Sequence, residues 1–244
     1  MISTSLLSLC CYKADAINCG KRLKIAVVDS GLDLTDPRFV DHLCETGHVN
    51  FVRNETIDDI NGHGTFVTGL IQKYAGDANY CLMIYKYYSE HLNGGELMKA
   101  EVMAFNQAIK DGADIINLSG GGPSFNEDEY LAIKNHPKTI FIVAAGNNGK
   151  NIDDSRYKFY PASYFLKNEI VVGNINANGS RAASSNWSKK IRAKQVGVDV
   201  ISSVPCYYEE DSIYCNKYMT GTSMSAAIET GKFVDKVKKY CESR

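Results

Sequence analysis

Three polar residues of this 244-residue chain have the types and settings that nucleophilic catalysis requires. Ser223 lies in Gly221-Thr222-Ser223-Met224-Ser225-Ala226-Ala227, at the start of an apolar-patterned helix. A serine hydroxyl of ordinary acidity is a poor nucleophile, so it needs a base, an orienter for that base and donors for an oxyanion. His63, in Asn61-Gly62-His63-Gly64-Thr65, suits the base, because its flanking glycines leave room for an approaching ligand. Asp29 is the first polar residue after the apolar run Ile25-Ala26-Val27-Val28. A buried strand delivers a carboxylate in this way to its C-terminal edge, where open α/β sheets bind ligands. Taken singly, each has a plainer reading: a strand-ending turn for Asp29, a solvent-facing loop for His63, a helix cap for Thr222 or Ser223. No structural rule links these distant segments, whereas one active site needs them all.

In the order Asp, His, Ser, these segments resemble those of the subtilisin-like serine peptidases, over about Lys24 to Gly231. Two more segments carry the likeness. Ile140-Phe141-Ile142-Val143-Ala144-Ala145-Gly146-Asn147 is similar to the family strand whose terminal asparagine donates to the oxyanion, which gives Asn147 that role. Ile115-Ile116-Asn117-Leu118-Ser119-Gly120-Gly121-Gly122-Pro123 looks like the strand that pairs with substrate backbone. The resemblance implies a mainly parallel sheet with helices on both faces, the subtilisin-like three-layer α/β architecture. It also implies a serine endopeptidase that binds a peptide or protein in extended conformation, with Asn93-Gly94-Gly95 and Ser119-Gly120-Gly121 as the two edges of an added strand. An intracellular maturation or leader-processing role is the expected setting, and a peptide-binding module without catalysis is the alternative. A nucleotide-binding domain is disfavoured, because Asp29-Ser30-Gly31-Leu32-Asp33 is acidic where a phosphate loop would stand.

The chain departs from the family pattern in several places. Ser225-Ala226-Ala227-Ile228 lacks the proline usual after the nucleophile. Gly120 replaces a leucine, which is expected to widen the upstream subsites. Arg38 stands where the tight calcium site has an aspartate, and Tyr74-Ala75-Gly76-Asp77-Ala78-Asn79 is a shortened calcium loop, so no cofactor and no metal ligand are expected. Asp77 reads as a solvated turn residue, while Asp33, Asp36, Asp58 and Asp59 crowd one region where weak cation binding stays open. Phe159 aligns with the base of the primary specificity pocket and favours a small or flat residue before the cut. Asp153 and Asp154, nearby, would instead favour a basic residue if they faced that pocket; a solvated loop is the simpler reading.

At 44% apolar content and a formal net charge of −1, the chain can bury a sizeable core and offers no electrostatic footprint for nucleic acid. No stretch approaches the roughly twenty apolar residues that span a bilayer. Residues 1–244 read as a single peptidase domain with an N-terminal extension over 1–23, too short for a prodomain and a poor signal peptide. Oligomeric state is left open. Strands are expected at Lys24–Asp29, Leu82–Tyr87, Asp114–Ser119, Thr139–Ala144 and Glu169–Gly173, alternating with helices as in a parallel sheet. Helices are expected after His63, from about Leu97 to Lys110, after Ser223, and from Asn126 in a capping-box pattern with Glu129. Eight cysteines form no paired zinc-type spacing; Cys206 and Cys215 flank a hairpin-like loop, but a cytoplasmic protein with mostly reduced thiols is the expectation.

Overall fold

The computed structural model describes residues 19–206 and 215–244. Seven parallel strands form the sheet: β1 (Leu23–Asp29), β2 (Val49–Asn50), β3 (Tyr80–Lys86), β4 (Ile115–Leu118), β5 (Ile140–Ala144), β6 (Glu169–Ile175) and β7 (Ala193–Val196). Their spatial order is β2-β3-β1-β4-β5-β6-β7. The central strands read as unbroken apolar runs because both of their faces are covered. Along β1, Ile25 and Val27 join the core cluster under α1 (His63–Ala75) and α4 (Thr222–Glu242), whereas Ala26 and Val28 join the cluster under α2 (Gly94–Lys110) and α3 (Glu127–Lys134). This alternation, set by the two-residue period of a strand, makes the three layers expected from the sequence.

All five expected strands form, within one to two residues at most ends. The short β2 and the half-exposed edge strand β7, Ala193-Lys194-Gln195-Val196, carry no apolar run that would have marked them. An antiparallel hairpin of β8 (Val200–Val204) and β9 (Cys215–Met219) stands apart from the sheet. It rests on α1, where Ser202 Oγ donates to the Phe66 carbonyl at 2.8 Å. The Asn93-Gly94-Gly95 segment is not an extended edge. Asn93 Oδ1 accepts from the amides of Gly95 and Glu96 while Glu96 returns a bond to the Asn93 amide, and this capping box turns both glycines into the first turn of α2. Among the described residues no helix is long and apolar enough to cross a membrane.

The expectation of mostly reduced thiols is corrected by three disulfides: Cys19–Cys241, Cys44–Cys81 and Cys206–Cys215. Cys44 is held beside β3 because its amide donates to the Leu82 carbonyl at 2.9 Å, which leaves its Cα 4.9 Å from that of Cys81, a normal cystine span. Cys10 and Cys11 lie outside the described residues. Replacing Cys44 and Cys81 together by alanine is expected to remove about 2–4 kcal/mol of stability. Chemical denaturation of wild type and variant under non-reducing conditions measures this, and identical midpoints would show that the bridge is not formed.

Candidate active site

The C-terminal ends of β1, β4 and β5 and the N-terminal ends of α1 and α4 converge at one edge of the sheet. Asp29 ends β1 and is 5% exposed. His63 opens α1, with Nδ1 2.8 Å from Asp29 Oδ1. Two glycines make this approach possible: Gly31 has φ +112°, and a Cβ on Gly64 would collide with the Gly31 carbonyl. The first turn of α1 therefore lies directly on the turn that follows Asp29.

The capping residue of α1 is Gly62, which has no side chain to offer. Asp59, fully buried, does the work instead. Its Oδ2 accepts from the Thr65 amide at 2.7 Å, and its Oδ1 accepts from the Gly62 amide and Ser30 Oγ, both at 2.8 Å, and from the Asn61 amide at 3.2 Å. Ser30 Oγ in turn accepts from the Gly64 amide at 2.9 Å. Sequence reasoning placed Asp59 only in an acidic crowd; its signal was the position just upstream of an uncapped helix start. The other acids of that crowd are separately engaged, Asp36 with Arg38, Asp33 with Thr35 and Asp58 with Thr56.

Ser223 lies in the first turn of α4. Its Oγ donates to the Ser119 carbonyl at 2.8 Å, and Ser119 Oγ donates back to the Ser223 carbonyl at 3.1 Å. Ser119 lines the same cleft as Asp29 and His63. The Ser223 hydroxyl is thus bonded to a backbone acceptor and not to His63; hydrogen bonds of an active site are often unmade until substrate is present. Asn147 is exposed, and its Oδ1 accepts from both the amide (2.9 Å) and the hydroxyl (3.0 Å) of buried Thr222. Thr222, read from sequence only as a cap, thereby fixes the amide so that Nδ2 is left as a donor.

The cleft has a volume of about 540 Å³ and is bordered on one side by Ser119, Gly120 and Gly121 and on another by Gly94. Gly120 does not widen it as expected, since the Tyr87 hydroxyl occupies the place a Cβ would take. Phe159 inserts its ring between two backbones: a Cβ on Gly121 would lie 2.7 Å from its Cε1, and one on Gly146 2.9 Å from its Cδ1. Asp153 is held by Ser188 Oγ and the Lys189 amide, and Asp154 by Arg156, so both acids are committed elsewhere. Arg156 pulls the Asp154 carboxyl down to about 2.

Burial disfavours the charged form of His63, but the charge and hydrogen bond of Asp29, helped by the charge of Asp59, outweigh it and hold the imidazole pKa above its ordinary value. The same pair that raises basicity fixes the tautomer with the proton on Nδ1 and Nε2 free to accept.

A family model described as the subtilase family matches residues 20–236. The chain is 31% identical over 242 residues to the major intracellular serine protease of Bacillus subtilis (strain 168), covering 91% of this chain and 70% of that one. A solved lanthipeptide protease superposes with a TM-score of 0.74 at 22% identity, over 98% of this chain and 79% of the other. The epidermin leader peptide processing serine protease of Staphylococcus aureus superposes with a TM-score of 0.71 at 21% identity, over 89% and 65% respectively. At such identities the two solved structures show a shared fold.

If His63 is the general base it must be neutral to accept a proton, and activity is then expected to fall as pH drops through its pKa. Because that pKa is raised, the acid limb of kcat/KM is expected above the ordinary histidine value of about 6.5. Asp29→Asn is expected to move the limb to lower pH and to cut turnover by about four orders of magnitude; a limb unmoved by this change in a pH–rate profile would remove Asp29 from its place.

Proposed function

This chain belongs to the subtilase family of serine peptidases, and from that premise we propose that Asp29, His63 and Ser223 are its catalytic triad and Asn147 its oxyanion donor. The observation that carries the reading is the 2.8 Å bond between Asp29 and His63 Nδ1, in a cleft shared with the Ser119 that holds Ser223. Ser223 Oγ attacks a peptide carbonyl while His63 Nε2 takes its proton, and Asp29 stabilises the imidazolium. The developing oxyanion is received by Asn147 Nδ2, whose Oδ1 is anchored on Thr222 before substrate arrives and so needs no reorganisation during the step. His63 then returns the proton to the leaving amine. A peptide-binding module without catalysis would have no use for an oriented base, which disfavours that alternative.

Substrate lies extended against Ser119-Gly120-Gly121, whose backbone offers pairing with little side-chain demand. The Phe159 ring between Gly121 and Gly146 supports a small or flat residue before the scissile bond. Removal of leader segments fits this class of site, and one of the solved structures is named for leader peptide processing. As to location, two relatives are named as intracellular, while the three cystines of this chain favour an oxidising compartment. The cystines carry more weight, and our reading replaces a cytoplasmic setting with an oxidising one.

Two features support independence from calcium. The Arg38 guanidinium sits where the tight site would need a carboxylate and is bonded to Asp36. The loop after α1 is reduced to the link Gly76–Asn79 before β3, with Asp77 paired to Lys238 at 2.5 Å. Calcium prefers six to eight oxygen ligands, and a cation that binds only the folded chain must raise its melting temperature.

Two outcomes are expected. A fluorophosphonate probe labels wild type and fails to label Ser223→Ala at an unchanged melting temperature; equal labelling of both proteins would sink the assignment. Melts in excess chelator and in millimolar calcium coincide to within a few degrees, and a wider separation would show a real cation site.

A further inference from the structure

Beyond Gly120 and away from the triad, the wall of the cleft is formed by α2, and there it is acidic where packing alone would call for apolar side chains. Glu101 lines the cleft yet is only 4% exposed. On α2 it stands one helical turn from Leu97 and one from Phe105, within the buried stripe of Ala100, Ala104, Phe105 and Ala108. Behind it lies Glu129 of α3, fully buried. Glu129 follows the capping pattern only by half: its amide bonds Asn126 Oδ1, but its carboxylate turns inward, where Oε2 accepts from Tyr164 Oη at 2.5 Å. Neither Glu101 Oε1 nor Glu129 Oε1 accepts a hydrogen bond from a donor among the described residues, and no lysine or arginine among them forms an ion pair with either.

Two carboxyl groups in this position are costly unless something charged completes them. A buried carboxylate without a partner is strongly disfavoured, and without a cation the pair avoids that state by holding protons. Burial, and then the neighbouring Glu129, push Glu101 well above the usual carboxylate range, and burial raises Glu129 in the same direction. The other titratable groups facing them add no positive charge: Tyr87 after β3, Tyr164, and Glu169 of β6, which burial lifts to about 8. Glu101 lines the substrate cleft with its Oε1 closed off from solvent, so a cation reaches the pair from the cleft side once the Glu101 side chain turns outward.

Resting on the peptidase reading above, we infer that Glu101, backed by Glu129, forms a subsite for an arginine or lysine side chain of the substrate, upstream of the scissile bond. A guanidinium brings a planar fork of donors to acceptors that the protein leaves unsatisfied, and its arrival releases the proton held between the carboxyls to solvent. Tyr87 and Tyr88, which also line this part of the cleft, offer ring faces along which the long side chain can lie. The missing side chain at Gly120 is what admits the Tyr87 ring to this place. Recognition would then be divided: a small residue against Phe159 at the cut, and a cation further upstream.

The test uses peptides identical except for arginine, lysine, citrulline or norleucine at the second, third or fourth residue before the cut. At one of these positions, arginine is expected to exceed citrulline by about tenfold in kcat/KM, the effect of a desolvated charge-assisted hydrogen bond. That ratio should collapse in Glu101→Gln, with folding checked by circular dichroism; should this variant not fold, Glu129→Gln gives the same reading. Citrulline or norleucine equal to arginine at all three positions in wild type would overturn the inference, as would an arginine preference that survives both substitutions. Hydrolysis without any basic preference leaves the peptidase assignment standing, whereas no hydrolysis of any peptide and no fluorophosphonate labelling would overturn both.

Discussion

The geometry of the site depends on one buried carboxylate, Asp59, which holds together pieces of chain that nothing else joins. Its two oxygens take bonds from Ser30, Asn61, Gly62 and Thr65, and so connect the turn after β1 to the first turn of α1. Hydrogen bonds to a charged acceptor contribute about 1.5–3 kcal/mol each in favourable cases, and the helix N-terminus adds its own attraction for the charge. What Asp59 fixes is the placement of His63 over Asp29. The glycine contact between residues 31 and 64 sets how near the two segments come, and the carboxylate sets their angle. A loop could not hold a base to a few tenths of an ångström; a loop clamped through four donors can.

The second half of the site hangs on α4, the helix packed most centrally in its layer. Its first turn is tied to β4 through the reciprocal Ser119–Ser223 bonds and to the end of β5 through Thr222, Asn147 and Gly146. Ser223 and Asn147 are therefore positioned by the same two strand ends. This division of labour, with rigid sheet edges supplying coordinates and helix starts supplying functional groups, explains why the candidate catalytic groups lie far apart in sequence while their supports are local.

The central strands were legible because full burial on both faces leaves only apolar residues, and that pattern survives without knowledge of neighbours. The placement of Asp29, His63, Ser223 and Asn147 at strand ends and helix starts was legible because flanking glycines and apolar runs mark those points. Asp59 and Thr222 were not, since each works through acceptors or donors brought to it by folding and neither has a local pattern beyond that of a turn or a cap. The helical start at Gly94 and Gly95 was missed although the Asn93 and Glu96 flanking them specify it. Glu129 shows the reverse error: Asn126 caps as expected, but Tyr164, distant in sequence, attracts the glutamate inward. Cys206 and Cys215 were legible as the flanks of a hairpin-like loop; the Cys19–Cys241 bridge was not, for a simpler reason. Cysteines 222 residues apart carry no spacing signal, and their pairing follows only from the fold that brings the chain ends together.

That last bridge alters the mechanics of the molecule. Because Cys19 is bonded to Cys241 in the final turns of α4, the whole sheet lies within a covalently closed ring, and tension applied at the two chain ends passes through sulfur instead of through the hydrogen bonds of the fold. A machine that unravels proteins by threading them from one terminus meets a loop, not a strand, as soon as it has drawn in the tail. It must then accept two polypeptide segments side by side or wait for reduction. Built in this way, the domain is protected against one route of disposal by its covalent topology, whatever its thermodynamic stability.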